Sequence, residues 1–345
     1  MRPGRVPGAG EPCLRRGVAT LRRRGPSAPA LVSSSPVKPF LIVNPASASG
    51  RTGRHFDAIA RAVRAAVGEF ECAFTRQRGD GVRLAHQALA AGGELLVAVG
   101  GDGTASEVID GIQSDPGERG PRTLFGFIPR GTGGDLRRTI GIAQDVDGAA
   151  RALAGRGEVV LDLGRIELAG PDGSRVVRHF ANVAGLGVSG VVSRSVNHGI
   201  RLPSGKLAFA LASARALVTW QDQPVRWRLD GGAWQEERLT ALSVCNGRYF
   251  GGGMQVAPQA RMDDGLFDVV VWQGFGILDF LVKRPMLYDG THVRLPNTRV
   301  ARARTVEAEP LGGATVHLDV DGENPGTLPA RFSVLPGALR IRVAG

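Results

Sequence analysis

Residues 95–104 read LLVAVGGDGT. Five consecutive apolar residues, Leu95 to Val99, describe a short strand covered on both faces, which is the habit of a parallel sheet. The run breaks at Gly100, Gly101, Asp102 and Gly103, and a helix is expected from Thr104. Glycines without Cβ atoms let backbone N–H groups approach phosphate oxygens, and a helix N-terminus adds a field that favours an anion. Taken singly, G-G-D-G also reads as a plain tight turn. The construction recurs, however. Residues 124–128 (LFGFI) form a second apolar run, followed by Pro129, Arg130, Gly131, Thr132, Gly133, Gly134 and Asp135 and by another expected helix. Two such loops can face one polyphosphate, with the Thr132 hydroxyl as donor and Arg130 as counter-charge.

Working outward, residues 39–43 (PFLIV) are a strand ending at Asn44 and Pro45. Phe56, Ile59, Ala60, Val63 and Val67 then recur at helical spacing. Residues 70–75 and 82–91 continue the alternation as strand and helix, and 104–112 follow as the helix after the glycine loop. Strands alternating with helices at this spacing imply a parallel sheet, whose ligands bind beyond the carboxyl ends of the strands. After residue 161 the texture turns strand-rich, with runs at 165–168, 176–182, 225–229, 239–244, 267–271, 315–320 and 339–343 and one helix at 205–218. The expected fold class is α/β: an N-terminal parallel-sheet domain over 39–162 and a mainly antiparallel, β-rich domain over 163–345. The active site falls in the cleft between them, and the last strand is free to return to the first domain.

The net charge of +11 is unevenly placed. Residues 1–38 carry eight basic residues against Glu11 alone, which puts +7 there and +4 on everything else. This tail is rich in Pro, Gly, Ser and Arg without apolar periodicity, a composition that does not fold. It reads as a solvated extension or as an electrostatic tether to anionic lipid; no nucleic-acid partner is implied. No continuous apolar h-region follows its arginines, against a cleaved secretory signal. No stretch reaches the roughly 20 apolar residues that span a bilayer, so no transmembrane segment is expected. Cys13, Cys72 and Cys245 form no C-x-x-C pair, which argues against a disulfide framework or zinc site and fits a reducing cytoplasm. The six histidines form no H-E-x-x-H pair, no G-x-x-x-x-G-K-[ST] occurs, and no V-A-I-K or H-R-D set marks a protein kinase.

Five segments in order are more specific than any one: Asn44-Pro45-Ala46-Ser47, G-G-D-G-T at 100–104, P-R-G-T-G-G-D at 129–135, GGGMQVAPQARMDDGLFD at 251–268, and Asp321-Gly322-Glu323. In this order the chain resembles the diacylglycerol kinase catalytic-domain family, which includes bacterial soluble lipid kinases and the sphingosine and ceramide kinases. The resemblance covers about residues 39–345. It implies a nucleotide-binding N-terminal domain, a lipid-substrate C-terminal domain, and ATP in the cleft. Nucleotide contacts are then expected from Asn44, Thr75, Gly100, Gly101, Asp102, Gly103, Thr104, Ser106 and Thr132. Magnesium is implied at Asp264 with the backbone oxygens of Leu266 and Arg261, a hard-oxygen set of the kind Mg²⁺ takes. Phosphoryl transfer needs the acceptor hydroxyl to lose a proton as it attacks. The resemblance gives that role to Glu323, with Asp321 orienting it or assisting the metal, and Asp102 is the competing base.

The implied activity is transfer of the γ-phosphoryl of ATP to the hydroxyl of a diacylglycerol-like lipid, as in phospholipid biosynthesis. The enzyme would be cytoplasmic, meeting its lipid substrate at the inner membrane face, and a homodimer is left open. A sphingoid-lipid kinase, an NAD kinase and a non-catalytic nucleotide- or lipid-binding regulator are the alternatives. The last is motivated by Gly134 and Ser106, where the family usually has Asn. Residues 275–287, with Lys283 and Arg284, supply either core packing or a face for lipid.

Overall fold

The computed structural model describes residues 38–131, 133–170, 173–198 and 205–344. The basic tail, apart from Lys38, and Thr132 lie outside them. Four parallel strands stand side by side in the order Glu71–Phe74, Pro39–Val43, Leu95–Gly100, Leu124–Pro129. The last two are buried at every position, because helices cover the sheet. The Asp80–Ala90 helix packs on Asp102–Gln113, and Phe56–Val67 packs on Val146–Ala154. The apolar spacing read from 56–67 does what it predicts, burying Ile59 and Val63 while Arg61 and Arg64 stay in solvent. Phe125 is fully buried in this core, and truncating such a ring costs about 3–5 kcal/mol.

The long final strand, Ala330–Val343, joins this sheet parallel to Leu124–Pro129 through Arg340 and Ile341. It also runs antiparallel to Gly157–Ala169. Beyond it the sheet turns antiparallel through Thr305–Pro310, Gln223–Leu229 and Gln235–Leu239, ten strands in all with Arg175–Phe180. A second, five-stranded sheet has the order Thr298–Ala303, Phe267–Trp272, Ala241–Cys245, Val183–Gly187, Leu318–Val320. Ile166, Phe180, Trp227 and Phe332 from the large sheet pack against Leu186 and Phe267 from the small one, a sandwich core between two inner faces. The architecture is thus the α/β class read from the sequence, parallel in the N-terminal half and antiparallel in the C-terminal half.

Among the described residues three α-helices, not one, interrupt the β-rich half: Val188–His198, Gly205–Val218 and Ile277–Asp289. The first is rich in valine, which favours strands. The third carries Pro285 and is apolar on two sides, so it shows no single stripe. The two strands on either side of Arg304 were also illegible, because the chain passes from the small sheet to the large one at that residue without a Gly or Pro. Asp230 pins this crossing by accepting the N–H groups of Arg304 (2.9 Å) and Thr305 (2.8 Å).

Candidate active site

All four parallel strands end at one edge. Asn44 follows the first, Thr75 the second, Gly101 the third and Arg130 the fourth. An open cleft of about 760 Å³ lies there, lined by Asn44, Thr75, Gly101, Asp102, Gly103, Thr104 and Glu323 among others. Asn44 is fixed at both ends of its side chain, donating to Thr104 Oγ1 (3.1 Å) and accepting from Ala46 N–H (3.0 Å). The first N–H groups of the Asp102–Gln113 helix have no acceptor within the helix, and Asp102, Gly103 and Thr104 border the cleft. That end suits an anion.

The two glycine loops touch backbone to backbone. A Cβ on Gly131 would lie 2.7 Å from Gly101 Cα, and one on Gly133 would lie 2.7 Å from Asp102 Oδ2. Asp102 binds the loops together by accepting from the backbone N–H groups of Gly134 (2.6 Å), Asp135 (3.2 Å) and Leu136 (3.2 Å). Its carboxylate therefore caps the Asp135–Ile140 helix. Gly134 has φ +68, a left-handed conformation open to Gly and to Asn, so glycine at this position keeps the backbone that asparagine would keep. Asp135 in turn accepts Gly252 N–H at 2.8 Å and pairs with Arg138 at 3.1 Å. Burial, and then the Asp102 charge, push its carboxyl up to about 6.

Glu323 closes the tight turn 320–323, in which Asp321 (φ 48) and Gly322 (φ 87) are both left-handed and Val320 and Glu323 bond across. Asp321 anchors the turn by accepting the N–H groups of Ala181 (2.8 Å), Asn182 (3.0 Å) and Val183 (2.9 Å). Even so, burial raises it to about 6. Behind it Asp319, buried on the edge strand Leu318–Val320, takes Gly322 N–H at 2.9 Å and is pushed to about 7 by burial. Glu323 differs from these clamps. Its side chain is 35% exposed, with Arg78 Nε 3.9 Å away, and burial holds its carboxyl above the ordinary range, partly offset by Arg78.

Other expected residues are placed differently. Gly100 sits beneath the Thr104 side chain, and Ser106 is buried within the helix; neither borders the cleft. Thr132 is outside the described residues. Arg76, Arg78 and Glu107, none singled out from the sequence, do border it. Glu107 accepts the N–H groups of Gly79 (2.9 Å) and Gly81 (2.8 Å), fixing the loop that carries Arg78. Its spacing of three and four from Thr104 and Gly103 was the available signal.

Arg261, Asp264 and Leu266 share one loop, which Asp162 ties down through Gly265 N–H (2.7 Å). One Asp264 oxygen is bonded to Arg302 and the other accepts Leu266 N–H at 3.2 Å. Arg302 Nε also lies 3.8 Å from Asp268 Oδ2, a buried oxygen with no hydrogen-bond partner. With both Asp264 oxygens engaged and a guanidinium where a cation would sit, these residues do not fit a metal ion as they are arranged. Among the described residues no group of three or more His, Cys, Asp or Glu side chains could hold one.

On the outer face of the small sheet lies a cavity of about 70 Å³, lined by Leu217, Phe250, Met254, Trp272, Phe280 and Leu287 among others. Among the described residues no helix is long and apolar enough to cross a membrane.

Comparison with known proteins agrees with this geometry. Residues 38–166 match the diacylglycerol kinase catalytic domain, and residues 182–343 match the YegS C-terminal NAD kinase beta sandwich-like domain. The chain is 30% identical over 263 residues to a diacylglycerol kinase of Mycobacterium tuberculosis, covering 76% of this chain and 81% of that one. It is 32% identical over 286 residues to a Pseudomonas aeruginosa protein named "Probable lipid kinase YegS-like", covering 82% and 87%. A solved diacylglycerol kinase from Bacillus anthracis shares the fold with TM-score 0.64 at 23% identity, covering 89% of this chain and 97% of that one. By the matched catalytic domain and the identity to curated relatives over most of both chains, the chain belongs to the diacylglycerol kinase catalytic-domain family.

Proposed function

We propose that this protein transfers the γ-phosphoryl group of ATP to the hydroxyl of a diacylglycerol-like lipid. The observation that carries the reading is the position of Glu323, a half-buried carboxylate facing the same cleft as both glycine loops. ATP enters as its magnesium complex. Its phosphates lie against the N-terminus of the Asp102–Gln113 helix, and Arg76 and Arg78 offset their charge. As the acceptor oxygen attacks the γ-phosphorus, its O–H bond breaks and the proton passes to Glu323. The bond from the γ-phosphorus to the bridging oxygen breaks in line, and ADP leaves. Catalysis of this kind is largely positioning and charge neutralisation. A base with a pKa above the usual carboxylate range holds a proton better near neutral pH, which fits the raised Glu323 carboxyl.

The apolar cavity supports a lipid acceptor, since it offers hydrocarbon a dry wall beside the cleft-bearing sandwich. In this arrangement it holds the end of a chain rather than a whole one, so a bound lipid must part the helices above it. The protein then works as a peripheral enzyme at the membrane face where its substrate lies. Labelled Mg·ATP offered with diacylglycerol, monoacylglycerol, sphingosine, ceramide or NAD tests the reading. Product on diacylglycerol, lost in Glu323→Gln with ATP affinity retained, is expected. Transfer to NAD alone, or to no acceptor despite ATP binding, overturns it.

A further inference from the structure

The helices Gly205–Val218 and Ile277–Asp289 touch each other over the outer face of the small sheet. Their inner side chains, Leu217, Phe280 and Leu287, are 6–7% exposed and line the apolar cavity. Their outer sides are apolar as well. Leu278 is 75% exposed, Leu281 60% and Val282 74%, and Pro285 is exposed too. These four stand at i, i+3, i+4 and i+7, one stripe along one helix. Leu211 (54%) and Val218 (66%) continue the surface on the neighbouring helix. Of the nine exposed large hydrophobic side chains among the described residues, five belong to this face. Such a concentration marks an interaction site, where scattered single residues would need no explanation.

Exposed cations stand within this surface. Arg215, exposed, stands between Leu211 and Val218, and Arg284 is exposed beside Val282. Of the two acids on this helix, Asp279 is paired with Lys283 and accepts Gly276 N–H, and Asp289 accepts from Thr291 at the helix C-terminus, beyond the exposed stripe. Apolar side chains flanked by two arginines suit the boundary between anionic headgroups and acyl chains. A two-fold dimer across the same face would instead turn Arg215 and Arg284 towards their own copies. The patch is also far short of the roughly 20–30 residues a side found in stable interfaces.

We infer that this two-helix face docks on an anionic lipid surface, with Leu278, Leu281 and Val282 entering the bilayer boundary and Arg215 and Arg284 meeting headgroups. The cavity beneath is thereby set against the membrane that supplies its occupant. This deepens the proposed lipid kinase reading and rests on it.

Sedimentation of the full chain with phosphatidylcholine vesicles, with and without phosphatidylglycerol, tests the inference. The triple variant Leu278→Ser, Leu281→Ser, Val282→Ser should partition at least tenfold less to the mixed vesicles, and Arg215→Gln should lose part of the phosphatidylglycerol dependence. The melting midpoint and ATP affinity should be unchanged; if the triple variant folds poorly, the single change Leu278→Glu, at a three-quarters exposed position, gives the same reading. Phosphorylation of a short-chain, water-dispersed diacylglycerol should persist in these variants while that of vesicle-borne lipid falls. Wild-type-like vesicle binding by the folded variants overturns the docking face, as does a wild-type dimer that the triple variant makes monomeric. Failure of the wild type to phosphorylate any lipid refutes the kinase reading instead, and leaves the vesicle result to stand by itself.

Discussion

Asp102 and Glu323 are both carboxylates bordering the cleft, and their substitution by the matching amides should have opposite signatures. Asp102 holds three backbone N–H groups across 32 to 34 residues of chain. In Asp102→Asn one oxygen is replaced by an NH₂ group that faces donors. If the oxygen toward Leu136 survives, the bonds to Gly134 and Asp135 are lost, each worth about 1.5–3 kcal/mol as a charge-assisted bond. The favourable charge at the helix N-terminus, about 0.3–1 kcal/mol, goes with them. Removing the charge also relieves its repulsion of Asp135, which offsets part of the loss. The net expectation is about 3–5 kcal/mol, a large share of a domain's total stability. Differential scanning calorimetry should therefore show a lower melting midpoint, and titration calorimetry should show weaker ATP binding because the two loops are no longer clamped. Glu323→Gln removes a partly exposed acid held above its ordinary pKa, so stability and ATP affinity should hold while kcat falls about 10²–10⁴-fold, the usual worth of a general base. A folded Asp102→Asn with wild-type melting and ATP affinity, but kcat as low as Glu323→Gln, would refute this division and make Asp102 the base.

Further outcomes follow from the same contacts. Asp319 is held at about 7 and Asp321 at about 6, above the unfolded value near 3.9, so the unfolded chain releases these protons first and stability falls as pH rises through that interval. Asp319→Asn, which keeps an acceptor for Gly322, should gain on the wild type in urea unfolding between pH 5 and pH 8, by at most about 3 kcal/mol; a constant difference across that range would show that Asp319 titrates normally. Gly131→Ala places a methyl against Gly101 backbone and should weaken ATP binding at least tenfold, whereas Gly134→Asn, at φ +68, should leave it within about threefold. The melting midpoint of the wild type should not respond to EDTA. Arg302→Ala should lose about 1–3 kcal/mol by leaving Asp264 and Asp268 without their counter-charge, and added Mg²⁺ should restore part of it; a wild-type midpoint that drops with EDTA would return the metal to this loop.

The parallel strands and glycine loops were legible because their cause is local. Apolar runs such as 95–99 report burial directly, and a glycine cluster at a strand end reports a backbone that must come close to something. The Ile277–Asp289 helix was not, since one face meets the sheet and another is apolar in solvent, which erases the period. The inward placement of Ser106 was illegible for a related reason. Its neighbours in the motif border the cleft, but the turn of the helix carries residue 106 inward.

The acids of the site set a harder limit. Asp102, Asp135 and Asp321 stand in glycine-rich or turn-like sequence much as Glu323 does, and Asp162 stands within the strand Gly157–Ala169, yet each of the four accepts backbone N–H groups and works as a clamp. Their donors lie 32, 117, 103 and 140 residues away, respectively. No local pattern encodes a donor at that distance, so the sequence can show that a carboxylate belongs to the site without showing whether it is spent on the backbone. Glu323 stands apart because Asp321 and Asp319 hold the 320–323 turn from behind, leaving its own carboxyl toward the cleft and Arg78. The clamps position the glutamate, and its carboxyl is left available for the proposed role of base because its neighbours have satisfied the chain.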